Sequence, residues 1–234
     1  FSASGDIYVD GVRDSAQYSR TDPFNLEQVE VVSGASSVYS GSGAVGGTIN
    51  LVSKQPELRD KTTISAGIGT DNYKRTTLDT NQMLNDTTAL RLNLMAHGND
   101  VPGRDYEDYS RWGIAPSIAF GLGTPTRVTV SFEHQKDDNT PQYGIPIYNG
   151  KPMPGVGWSD FYGYHNINDQ KTTADSFSLK LEHDFNEAVS VRNFTRVERV
   201  RQDLRASGPE GAQAGCLASG TQITGAPRAA GLQP

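Results

Sequence analysis

The sequence predicts a mainly β protein, in which a compact N-terminal region precedes long antiparallel strands of transmembrane-barrel type. Three observations carry this. Apolar and polar residues alternate along segments past Lys61: "ALRLNLMAH" sets Leu90, Leu92, Leu94 and Ala96 on one face and Arg91, Asn93, Met95 and His97 on the other. Such segments run to roughly nine to eleven residues, the length of a tilted strand crossing a bilayer. The connections are one-sided: "NDTT" (85–88), "GLGTP" (121–125) and "NE" (186–187) are tight, while 98–110 and 136–172 are long. Short turns on one rim and long loops on the other mark an outer-membrane barrel. Only the connection at 70–73 departs, being short on the long-loop side.

In chain order, residues 1–56 are irregular. A strand is expected at Ile7–Val9, a turn at Asp10–Gly11, a strand at Val29–Val32, one helical turn at Gly34–Tyr39 and a strand at about 48–53, with Pro56 closing the region. From 61 to 205 about seven strands follow. "RWGIAPSIAFG" places Trp112, Ile114, Pro116, Ile118 and Phe120 on one face. "TRVTVSFEHQ" does the same with Val128, Val130 and Phe132, and "SFSLKLEHDF" with Phe177, Leu179 and Leu181. Residues 62–69, 73–83 and 188–200 alternate more weakly, and 206–234 read as loop or disordered tail. Seven strands leave an open edge that lipid cannot satisfy, so the chain reads as a fragment truncated at both ends. The competing architecture is a soluble β-rich binding protein with the same apolar face in a core.

Composition narrows the partners. A net charge of −6 argues against nucleic acid, and 35% hydrophobic residues is low for a soluble core. The single cysteine excludes an internal disulfide framework. No eighteen-residue apolar run or signal-peptide pattern is present.

One stretch invites a different function. Gly41, Gly43 and Gly46 in "SGSGAVGGTINLV" spell the dinucleotide-binding pattern G-x-G-x-x-G. That motif must open a helix whose amides receive the pyrophosphate. Here "GTINLVS" follows, β-branched and apolar, and reads as a strand. The glycines therefore serve sharp turning and close packing.

The longer segment "FNLEQVEVVSGASSVYSGSGAVGGTINLVSKQP" (24–56) resembles the last third of the plug of TonB-dependent outer-membrane receptors, xEVVxGxxSxxYGxGAxGGxINLVxK. "IYVDGVRD" (7–14) is similar to the preceding plug strand and loop. One position departs: Tyr39 is followed by Ser40 rather than directly by glycine. The resemblance covers nearly all of residues 1–205. It implies a partial plug (1–56) and the first strands of a 22-stranded barrel in the Gram-negative outer membrane, embedded in lipid and energised by the inner-membrane TonB complex. The TonB-contacting segment, the first part of the plug and most of the barrel are expected to lie outside the chain. "PQYGIPIYNGKPMPGVGWSDFYGYHNIN" (141–168) resembles the third extracellular loop of ferric-siderophore receptors, which implies ferric-siderophore uptake. Haem, cobalamin or a glycan is the alternative cargo.

A ferric tris-catecholate is an aromatic trianion whose iron is already chelated, so its receptor needs no cofactor and no metal ligands. It needs aromatic faces and arginine forks. Candidates are Arg13, Tyr18 and Arg20 in the plug loop, and Tyr143, Tyr148, Trp158, Phe161, Tyr162 and Tyr164 in the long loop. For the loop aromatics, ligand contact and an interfacial girdle both remain open; for Trp112 the girdle is the better reading. Arg13 and Arg20 have lumen carboxylates as alternative partners. The four histidines lack metal spacing, and Asp137–Asp138 reads as a solvated loop entry or a weak calcium site. No catalytic constellation can be assembled, so no enzyme activity is expected.

Overall fold

The computed structural model describes residues 7–14, 22–34, 47–141, 144–148, 150–164 and 166–207. They form two main sheets. The first contains β1 (Ile7–Val9), β2 (Val12–Arg13), β3 (Leu26–Ser33) and β4 (Gly47–Ser53), in the order β2-β1-β4-β3. β1 runs parallel to β4, and the other two pairings are antiparallel. Asp10 and Gly11 both adopt left-handed φ values, 51° and 82°, as a two-residue type I′ hairpin turn requires. β4 can begin only with glycine: Gly47 has φ 131°, and a Cβ there would sit 2.4 Å from the Val32 carbonyl oxygen. The expected helical turn at 34–39 and Gly41, Gly43 and Gly46 fall outside the described residues, apart from Gly34.

The second sheet has seven antiparallel strands: β5 (Lys61–Ile68), β6 (Lys74–Asn85), β7 (Thr88–Asp100), β8 (Asp108–Phe120), β9 (Thr126–Asn139), β12 (Asp169–Asn186) and β13 (Val189–Arg205). A small hairpin, β10 (Ile147–Tyr148) with β11 (Lys151–Pro152), lies in the connection between β9 and β12. Several strands outrun the expected length: β12 has 18 residues and β13 has 17. The long connections shrink accordingly, to 101–107 and 140–168. Charged strand ends still complete their backbone ladders, so polarity there did not mark the strand boundary.

The faces of this sheet are inverted relative to a soluble protein. On the side packed against the first sheet lie Arg91, Asn93, Ser117, Thr129, Gln135 and Asp137, all buried. On the other side Ile64, Leu90, Trp112, Phe120, Phe132, Phe177 and Val197 are exposed. A soluble sheet would bury the second set against a core; this polar-inward, apolar-outward arrangement is the one expected of a barrel whose exterior meets lipid. Strand tilt shows in the pairing rows. The row Ile64–Leu78–Leu94–Ile114–His134–Asp175–Arg199 begins apolar and ends charged. A row perpendicular to tilted strands must leave the apolar band in this way.

Candidate functional site

The two sheets meet across a polar seam built around one short segment, Asp22–Asn25. Asp22 caps the single 3₁₀ turn Pro23–Asn25, its Oδ1 accepting from the Phe24 amide at 3.0 Å. The same carboxylate accepts both arms of Arg75, at 2.6 and 3.0 Å, and Nη1 of Arg111 at 3.2 Å. Arg111 in turn forks onto Asp137 at 2.6 and 3.0 Å. Asp22 and Asp137 are each only 3% exposed. Burial by itself would push the Asp22 carboxyl up. The hydrogen bond and charge of Arg75, the Phe24 amide and the Arg111 hydrogen bond outweigh it and hold the group below the usual carboxylate range.

Beneath this network Phe24 packs with Met95 and Ala115. The wall is recessed at Gly113, where a Cβ would lie 2.8 Å from the Phe24 ring. A second network lies beside it. Arg91 forks onto Asp79 with both bonds at 2.9 Å, donates to the Gln55 carbonyl at 2.8 Å and reaches Glu27 at 3.2 Å. Lys54 bridges Asp79, at 3.0 Å, and the Phe24 carbonyl, at 2.8 Å. Asn25 donates to Glu133 at 2.8 Å and accepts from the fully buried Asn93. Asn81 takes the Glu57 amide at 3.0 Å and donates to the Glu57 and Arg59 carbonyls.

Two small cavities lie along this seam. One of about 30 Å³ is bordered by Asn25, Lys54, Glu133 and Arg196, and another of about 50 Å³ by Asp14, Glu133, Arg196 and Glu198. Each admits a water or two and nothing the size of a chelated metal.

The sequence-derived ligand residues fall into three groups. Arg13 is exposed in β2. Tyr18, Arg20 and Tyr143 lie outside the described residues, as does the side chain of Tyr148 in β10. Trp158, Phe161, Tyr162 and Tyr164 share one segment of the 140–168 connection. The Trp158 residue is 72% exposed and Tyr164 43%. The Tyr162 hydroxyl donates to Asp160 at 2.9 Å and accepts from the Gly157 amide at 3.2 Å. Desolvation and the Asp160 carboxylate raise its pKa above the usual phenol value.

Sequence reasoning missed the seam. Asp137 was expected in a solvated loop; it is instead a buried strand residue paired with Arg111. Its inward parity on β9, shared with Gln135 and Glu133, was the available signal. Asp22 and Arg75, 53 positions apart, carried none. Trp112 lies on the outward face, its ring 4.8 Å from that of His134.

Residues 1–48 match the family model described as the TonB-dependent Receptor Plug Domain. The Catecholate siderophore receptor Fiu of Escherichia coli O157:H7 is 43% identical over 213 residues, covering 86% of this chain and 28% of the relative. The crystal structure of the ferric-catecholate import receptor Fiu from E. coli K12, open form, superposes with TM-score 0.80 at 40% identity, over 88% of this chain and 33% of that one. The siderophore receptor PiuA from Acinetobacter baumannii gives TM-score 0.81 at 36% identity, over 92% and 31%. This stretch of chain belongs to the TonB-dependent receptor family. It spans under a third of the length of the curated relatives it matches. The first sheet thus carries the plug match, and the seven-stranded sheet packs against it.

Proposed function

We propose that the whole protein imports a ferric siderophore, of catecholate type, across the Gram-negative outer membrane, with energy drawn from the inner-membrane TonB complex. The observation that carries this is the loop segment 158–164, which presents Trp158 and Tyr164 as exposed aromatic faces beside Phe161 and Tyr162. Such faces suit the rings of a ferric tris-catecholate, each contact adding about 0.5–1.5 kcal/mol beyond area burial. The names of relatives more than 40% identical, catecholate receptors among them, support the same cargo. Iron enters as part of the cargo, already chelated, and the protein contributes packing and charge rather than metal ligands.

Arg13, Tyr18 and Arg20 on the plug, with Tyr143, Tyr148, Trp158, Phe161, Tyr162 and Tyr164 on the loop, form the proposed contact set. Capture by the loop precedes delivery to the plug, and the charged seam must then loosen, because its cavities of about 30 and 50 Å³ pass nothing of siderophore size. The test is binding of a ferric tris-catecholate complex to the full-length protein, paired with uptake in cells with and without TonB. Saturable binding with TonB-dependent uptake is expected. Failure to bind, with capture of haem, cobalamin or a glycan instead, overturns the cargo while leaving the family intact.

A further inference from the structure

We infer that Arg104 is a positioning residue for ligand capture, holding the loop segment of Trp158 and Tyr162 in its binding geometry; this rests on the reading of that segment as the ferric-catecholate contact. Arg104 lies in the other long connection, 101–107, with its side chain 14% exposed. Its Nε donates to Glu107 Oε1 at 3.0 Å, and its Nη1 donates to the carbonyl oxygen of Trp158. One residue on, the Asp105 amide donates to the Ser159 carbonyl at 2.7 Å. Two successive carbonyls of the ligand-facing loop are therefore held by two successive residues of its neighbour.

The holding loop is itself braced. Val101 donates to the Glu107 carbonyl at 2.8 Å, and Arg104 to the Val101 carbonyl at 3.1 Å. The Glu107 residue is 3% exposed, so the guanidinium is anchored on a buried acid. Tyr106 sits at φ 64°, a conformation that a non-glycine residue keeps only where its surroundings determine it. On the held side, Asp160 accepts from the Gly157 amide at 3.1 Å and from the Tyr162 hydroxyl. The result is a fixed backbone under an exposed indole. A pre-organised aromatic face loses less conformational entropy on binding than a free loop. The chemistry calls for arginine, whose planar fork serves the acid and the carbonyl in two directions at once, whereas lysine offers a single point charge.

The test is a double-mutant cycle in the full-length protein, with a ferric tris-catecholate complex as probe and wild type, Arg104→Ala, Trp158→Ala and the double variant compared. Each single change is expected to weaken binding about tenfold, with the double losing clearly less than the product of the two single losses and Arg104→Lys failing to restore affinity. General destabilisation does not produce that coupling. Spin labels on Pro102→Cys and Pro154→Cys report the loop spacing without any ligand, and Arg104→Ala is expected to broaden a narrow distance distribution. Unchanged affinity in Arg104→Ala or in Trp158→Ala, a multiplicative loss in the double variant, or an unchanged distance distribution overturns the proposal. If wild type binds no ferric catecholate while Arg104→Ala still broadens the spacing, the clamp stands and the cargo reading falls.

Discussion

Asp22 of the plug and Arg75 of the barrel wall form a two-point ion pair, at 2.6 and 3.0 Å, with the acid 3% exposed. Because Asp22 also caps the turn that delivers Phe24 to the wall, one carboxylate couples local chain direction to docking. A buried pair of this kind is a costly thing to break by halves, since the surviving charge keeps its desolvation penalty.

Removing the acid is therefore predicted to loosen the plug. Asp22→Ala leaves Arg75 without its carboxylate and Arg111 with Asp137 alone, for a cost of about 3–5 kcal/mol. Limited proteolysis of the full-length protein in membranes checks this. Cleavage within residues 7–57 should rise steeply, and an unchanged digestion pattern would refute the coupling.

Acid should act on the same contact. Asp22 is held below its ordinary value of 3.8, so its stabilising contribution is fully present above that value and is lost as pH falls through the depressed folded-state value. Protease susceptibility of the plug is expected to be flat through neutral pH and to rise only in strong acid. Asp22→Asn should remove that part of the acid dependence; a variant that follows the wild-type curve would assign the transition to another group.

The recess at Gly113 makes a steric prediction. Gly113→Ala places a methyl 2.8 Å from the Phe24 ring and is expected to cost about 1–3 kcal/mol of plug docking. Phe24→Leu in the same chain should recover much of the loss. Additive damage from the two changes would show that the ring and the glycine are not complementary.

Face inversion predicts unequal tolerance on the two faces of the second sheet. Leu94→Arg, on the lipid side of β7, should cost about 2–4 kcal/mol and reduce the heat-modifiable, folded fraction on semi-native gels. Ser117→Thr, on the inward face of β8, should leave that fraction near wild type. Equal sensitivity would contradict the assignment of faces.

Much of this architecture was legible in the residues because a period of two survives any tertiary context. Leu90, Leu92 and Leu94 share a face whatever lies beyond them. The strand ends were not legible. Asp137 and Asp138 look like loop, and only the ladder to β8 and β12 makes them strand. In the candidate site, the aromatic run 158–164 could be read directly because its members are adjacent in the chain. Arg104 could not, since its partner is the Trp158 carbonyl, a backbone atom that every residue carries.

The sequence by itself determined the alternation, the one-sided connections and the plug signature, all of which are local or repeat at short range. Only the tertiary structure decided that Asp22 meets Arg75, that Arg111 links Asp22 to Asp137, and that two connections are tied through Arg104. The physical reason is the same in each case. An ion pair between distant positions depends on strand register and on the depth at which the plug docks, and neither is encoded in the spacing of the residues that make it.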